Sequence, residues 1–127
     1  MAYNEKVVQL AKFIDSVECG ESPNSIGRLL CNPGCLRWSK FQSGYQTING
    51  SRFAKFSSYE IGFEALCFQI QIACDGRSKV YSPENTLYQF FAIYAPAYDK
   101  NQPKLYAERA AARLGIPGST QMKMLIT

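Results

Sequence analysis

Histidine is absent from all 127 residues. Its absence removes Ser-His-Asp and Cys-His catalysis and every histidine-ligated metal site, leaving Asp, Glu, Lys, Tyr and Cys as acid–base candidates. The chain also lacks a Cys-x-x-Cys knuckle, the spacing that structural zinc sites usually present. Its 14 lysines and arginines are never adjacent, so there is no basic run of the kind that marks a nucleic-acid partner, and none is expected. No apolar run approaches the ~18 residues of a membrane-spanning helix, so no membrane span is expected. The amino-terminal stretch interrupts its apolar positions with Glu5, Lys6, Gln9, Lys12 and Asp15, unlike a signal peptide. Synthesis in the cytoplasm, with thiols mostly reduced, is the expectation.

The residues that are present suit one domain, residues 1–127, with a sizeable core. Aromatics make up 13%, with eight Tyr and eight Phe, enough for a core and for a cleft lined by flat rings. The formal charge of +4 is mild and compatible with an anionic polymer. Val7, Leu10, Ala11, Ile14 and Val17 recur at helical spacing, predicting a helix over 4–18. Residues 19–43 are punctuated by Pro and Gly and read as loop. Asn49-Gly50 between two β-prone runs predicts a hairpin. A second helix is predicted from Ser57, with Glu60 completing a capping box and Ile61, Ala65, Phe68 and Ile72 on one face. A third is predicted from Ser82 and Pro83, stopping before Pro96, and a fourth from Pro103 to Leu114, with Gly115 as its stop. The order is α+β and mostly helical.

Two features carry candidate chemistry. Cys31 and Cys35 bracket Asn32-Pro33-Gly34, a tight-turn tripeptide, and Cys67 and Cys74 lie on a helical pattern. Neither spacing is that of a zinc knuckle, and the plain reading is structural thiols. Glu18 stands at the predicted end of the first helix. There the helix dipole and partial burial both favour the protonated form, which a general acid needs to cleave a glycosidic bond. Its plain reading is a solvated carboxylate at a helix end.

Four stretches occur in order: FIDSVECGES, SIGRLLCNPGCLRW, RFAKFSSYEIGFEAL and NTLYQFFAIYAPAYDKNQPKLYAERAAARLGI. Together they resemble a family of phage and prophage virion proteins with a lysozyme-like, lytic-transglycosylase-like fold. The resemblance spans roughly residues 11 to 117. In that family a helix ends in Glu-Gly, and a turn Asn-Asn-Pro-Gly-Asn-Leu-Arg follows. Here Cys31 and Cys35 stand where the family has Asn, and Cys19 separates the acid from Gly20, so Glu18 or Glu21 is the matching residue. Glu18 directly extends the periodic helix.

The resemblance implies a lysozyme-like domain with a small hairpin that cleaves peptidoglycan as a transglycosylase or a muramidase, with no metal or cofactor. Glu18 (or Glu21) would be the acid, Arg37, Tyr94, Tyr98 and Asn101 would line the substrate cleft, and Glu60, Glu64 and Asp99 are candidates for a second carboxylate. The implied partners are peptidoglycan strands and other virion proteins, and the implied location is the virion or, after release, the cell wall. The rival expectation is an inactive virion structural protein or cell-wall-binding module with the same fold.

Overall fold

A computed structural model describes residues 3–18, 25–95 and 102–127. The element order is α1 (Glu5–Glu18), a single turn α2 (Ile26–Leu29), β1 (Gly44–Ile48), β2 (Ser51–Lys55), α3 (Tyr59–Asp75), α4 (Leu87–Tyr94), α5 (Pro103–Leu114) and a 3-10 turn Met122–Ile126. The α+β class and the hairpin are as expected. The chain divides into two compact units, Ala11–Phe68 (the hairpin unit) and Met1–Leu10 with Gln69–Thr127 (the helical unit). No helix among the described residues is long and apolar enough to cross a membrane.

α1 begins where Asn4 accepts the Lys6 amide at 3.1 Å, satisfying an orphan donor of the first turn. Val7, Leu10, Ala11 and Ile14 are buried as its spacing requires, and Val17 is half-buried.

In the hairpin unit the register Ile48↔Ser51 leaves Asn49-Gly50 as a two-residue loop. Both residues have positive φ, 52° and 81°, the requirement of a type I′ turn. The strands are joined to the preceding turn by the Ala54 amide donating to Leu36 (2.9 Å) and the Phe56 amide donating to Leu30 (3.0 Å). Phe13, Ile14, Leu30, Leu36, Phe56 and Leu66 are among its buried side chains.

The second helix starts two residues after the predicted cap. Ser58, rather than Ser57, accepts the Ile61 amide at 3.2 Å, so Glu60 sits one position too early to complete the capping box. Its buried positions also differ from the expected face. Ala65 is buried, but Ile61 is 39% exposed and Phe68 and Ile72 are half-buried, while Leu66, Ile70 and Ala73 are fully enclosed. The physical reason is that Glu60, Glu64, Gln71 and Asp75 form one polar stripe at helical spacing; Ile61, Phe68 and Ile72 border that stripe, whereas Leu66, Ile70 and Ala73 lie away from it. Gly62 fits the helix closely to the turn: an added Cβ would lie 1.9 Å from the Cys31 carbonyl oxygen.

The helical unit is built on rings and caps. Phe90 and Phe91 are fully buried; Phe90 lies against Tyr81 (4.7 Å) and Tyr94 (5.5 Å), and Phe91 against Tyr106 (6.1 Å). α4 begins four residues later than predicted. Thr86, not Ser82, is its cap, in a reciprocal capping box with Gln89, because Ser82 and Asn85 are engaged in an upstream turn of their own. α5 has the predicted bounds and ends on Gly115 at φ 70°, whose amide bonds to Ala111 and Ala112. The carboxyl-terminal segment, for which the sequence offered no prediction, is joined to the loop before α4. The Leu87 amide donates to Thr120 (3.1 Å), and the Met122 amide donates to Asn85 (2.7 Å).

Candidate functional site

The hairpin unit holds Glu18, Arg37, Glu60 and Glu64. Glu18 is the last residue of α1, half-buried, in a last turn that contains no basic residue. Burial pushes its carboxyl pKa above the ordinary 4.5, because removing water from around the carboxylate disfavours the charged form. One turn earlier on the same helix, Asp15 accepts a hydrogen bond from the Tyr59 hydroxyl at the start of α3. The Arg28 guanidinium lies over the Tyr59 ring at 5.4 Å. Asp15 and Glu18 are three residues apart, the spacing that puts side chains on one helix face. No sequence motif marks Asp15 or Tyr59 as a site residue. The spacing was a readable signal for Asp15; nothing in the chain order marked Tyr59, 44 residues away from it.

The turn Asn32-Pro33-Gly34 is anchored by Asn32, which is fully buried. Its amide group donates to the Leu36 carbonyl and the Ala54 carbonyl, both at 2.9 Å, and its side-chain oxygen accepts the Leu36 amide at 2.9 Å. One side chain therefore satisfies three buried backbone groups and couples the turn to β2. Cys31 and Cys35 flank it with φ of 55° and 51°, left-handed positions that Asn tolerates better than most residues. Both cysteines, and buried Cys67 and Cys74, are thiols rather than disulfides. Burial, reinforced by Glu64 and opposed by Lys12, pushes the Cys67 thiol up to about 11; burial pushes Cys74 up to about 12. Neither is a reactive thiolate at neutral pH. Among the described residues no three or more Cys, Asp or Glu side chains are grouped to hold a metal.

Arg37, next after the Asn32-fixed Leu36, is exposed, and its guanidinium stacks over Phe53 at 4.6 Å. Glu60 is exposed on the first turn of α3, and Glu64 is half-buried one turn on. Tyr94 belongs to the helical unit, where its ring packs on Phe90 and Phe91. Glu21, Tyr98, Asp99 and Asn101 lie outside the described residues. No family model matches the chain, and neither a curated protein nor a solved structure matches it.

Proposed function

We propose that the protein is a peptidoglycan-cleaving glycosidase in which Glu18 is the general acid. The observation that carries this reading is a half-buried carboxyl at a helix end whose pKa is raised by burial. The resemblance of the ordered motifs to lysozyme-like phage virion proteins supports the substrate class. In its protonated form Glu18 delivers its proton to the glycosidic oxygen as the bond to C1 breaks. As a transglycosylase the resulting carboxylate takes the proton of the substrate's own 6-hydroxyl, which closes on C1 as a 1,6-anhydro ring. Hydrolysis would need a second carboxylate, for which Glu60 and Glu64 remain candidates. Asp15, held by the Tyr59 hydroxyl one turn from Glu18, joins them. Arg37, exposed beside the anchored turn, would meet a carboxylate of the polymer.

A non-catalytic virion or wall-binding protein with this fold is the second reading, favoured by Cys19 standing between Glu18 and Gly20. Digestion of purified peptidoglycan, with products read by mass spectrometry, separates the two. Wild type should release anhydro-muropeptides or reducing-end products, and Glu18→Gln should lose at least ~100-fold in rate. Loss confined to Glu21→Gln would move the acid, and an inactive, folded wild type across the pH range would leave the second reading.

A further inference from the structure

Between Glu21 and Glu60 the sequence contains no acidic residue and five basic ones, Arg28, Arg37, Lys40, Arg52 and Lys55. The last four fall in the turn after Asn32 and in the hairpin, and three of them lie on aromatic faces. Arg52 is 4.1 Å from the Tyr45 ring centre and Arg37 is 4.6 Å from that of Phe53. Lys40 is 4.2 Å from that of Phe68. Among the described residues, none of the four is ion-paired with a carboxylate. Two rings of the same segment face solvent, Trp38 at 68% and Tyr45 at 55% exposure. The strand register puts Tyr45 and Arg52 on one hairpin face and Phe53 with Lys55 on the other. The hairpin and the turn before it therefore carry cations and rings on both faces, as a projecting basic, aromatic ridge rather than a pocket.

We propose that this ridge binds single-stranded nucleic acid, the bases stacking on Trp38 and Tyr45 and the phosphates meeting Arg37, Lys40, Arg52 and Lys55. The charge favours this occupant. A surface with four cations, none ion-paired among the described residues, complements a polymer carrying one charge per unit, and its flat rings accept any base because every base has a π-face. Composition counted against such a partner only because the cations are dispersed along the chain; the turn and the two strands collect them. The inference does not rest on the glycosidase reading, although the two share Arg37.

The test is fluorescence anisotropy of a labelled oligothymidylate of about 16 nucleotides, titrated with the full chain at rising salt. Four phosphate contacts predict a log–log salt slope of about −3, a loss of about 50-fold between ~50 and ~200 mM. Arg52→Gln should flatten the slope by about 0.7. Trp38→Ala and Tyr45→Ala should each weaken binding at least about fivefold, with the slope unchanged. Circular dichroism checks that each variant is folded, and peptidoglycan digestion by Trp38→Ala should match wild type. No binding at ~50 mM salt overturns the proposal, as does binding that ignores both ring substitutions. Stronger capture by phosphatidylglycerol vesicles, or by insoluble peptidoglycan, with the same variants losing it, overturns it too and assigns the ridge to a membrane or to the wall.

Discussion

The helical unit and the hairpin unit hold themselves together differently. The helical unit relies on apolar area: Phe90, Phe91, Leu87, Met122 and small alanines on α5 are enclosed, with caps and turns trimming the ends. Such a core tolerates exchange of similar volumes, because its interactions are numerous and individually weak. The hairpin unit relies on a few irreplaceable groups. Asn32 satisfies three buried backbone atoms, Gly62 admits the Cys31 carbonyl, and two cysteines hold left-handed backbone. A unit built this way is more specific in shape and more fragile to single changes. Its turn also carries Arg37 and leads into the ridge.

The largest effect should come from Asn32→Ala. It leaves the Leu36 amide and the Ala54 carbonyl without their side-chain partner, while the Leu36 carbonyl keeps the Ala54 amide. A loss of about 3 kcal/mol is expected in urea unfolding. A loss below about 1 kcal/mol would mean that the turn is held by its backbone alone, erasing the contrast between the units.

A matched pair of glycines sharpens the same contrast. Gly62→Ala drives a Cβ into backbone, 1.9 Å from the Cys31 oxygen, and should cost about 3 kcal/mol. Gly118→Ala in the helical unit first meets the outer ring atoms of Tyr88, at 2.7 to 2.9 Å. Because Tyr88 is 37% exposed and can swing away, about 1 kcal/mol or less is expected. Equal costs would refute the view that one unit is rigidly jointed and the other yields.

Glu18 gives a pH signature. Its carboxyl binds its proton more tightly folded than unfolded, so stability from this group is full at low pH. It declines as pH rises from the ordinary 4.5 through the raised value. Glu18→Gln removes that decline. Thermal melts should show the variant more stable than wild type at neutral pH, with the gap closing in acid. Activity, if the protonated form is the acid, should fall over the same rise. A gap that widens in acid would contradict a buried, proton-favouring environment.

The smallest effect belongs to the cysteines flanking the turn. Cys31→Asn and Cys35→Asn each put a residue tolerant of left-handed backbone at φ 55° and 51°, with an expected gain of about 0.5 kcal/mol each. Destabilisation would mean that the thiols contribute packing that offsets the strain.

Much of the fold was legible because its signals are local. The spacing of Val7 to Ile14, the Asn49-Gly50 pair, and the Pro103 and Gly115 that bound α5 each act within a few residues of themselves. Caps were less legible. Ser57 and Ser82 are as good by residue type as Ser58 and Thr86, and which one is used depends on where the preceding chain is already bonded. The buried face of α3 differs from the expected one because Ile61, Phe68 and Ile72 flank the stripe of Glu60, Glu64, Gln71 and Asp75, a signal that the apolar spacing alone does not weigh. Of the candidate site, Glu18 was readable as the end of a periodic helix, whereas Tyr59 and the reach of Asn32 were not.

By itself the sequence determined the class of the chain, its helices and hairpin, the exclusion of histidine chemistry and the position of one candidate acid. These follow from propensity, period and composition, which need no distant neighbour. Only the tertiary structure decided that Asn32 secures the carbonyl of Ala54, that Asp15 meets Tyr59, and that Lys40 lies over the Phe68 ring. Those are pairings across 20 or more residues, and hydrogen bonds and desolvation act through space rather than along the chain.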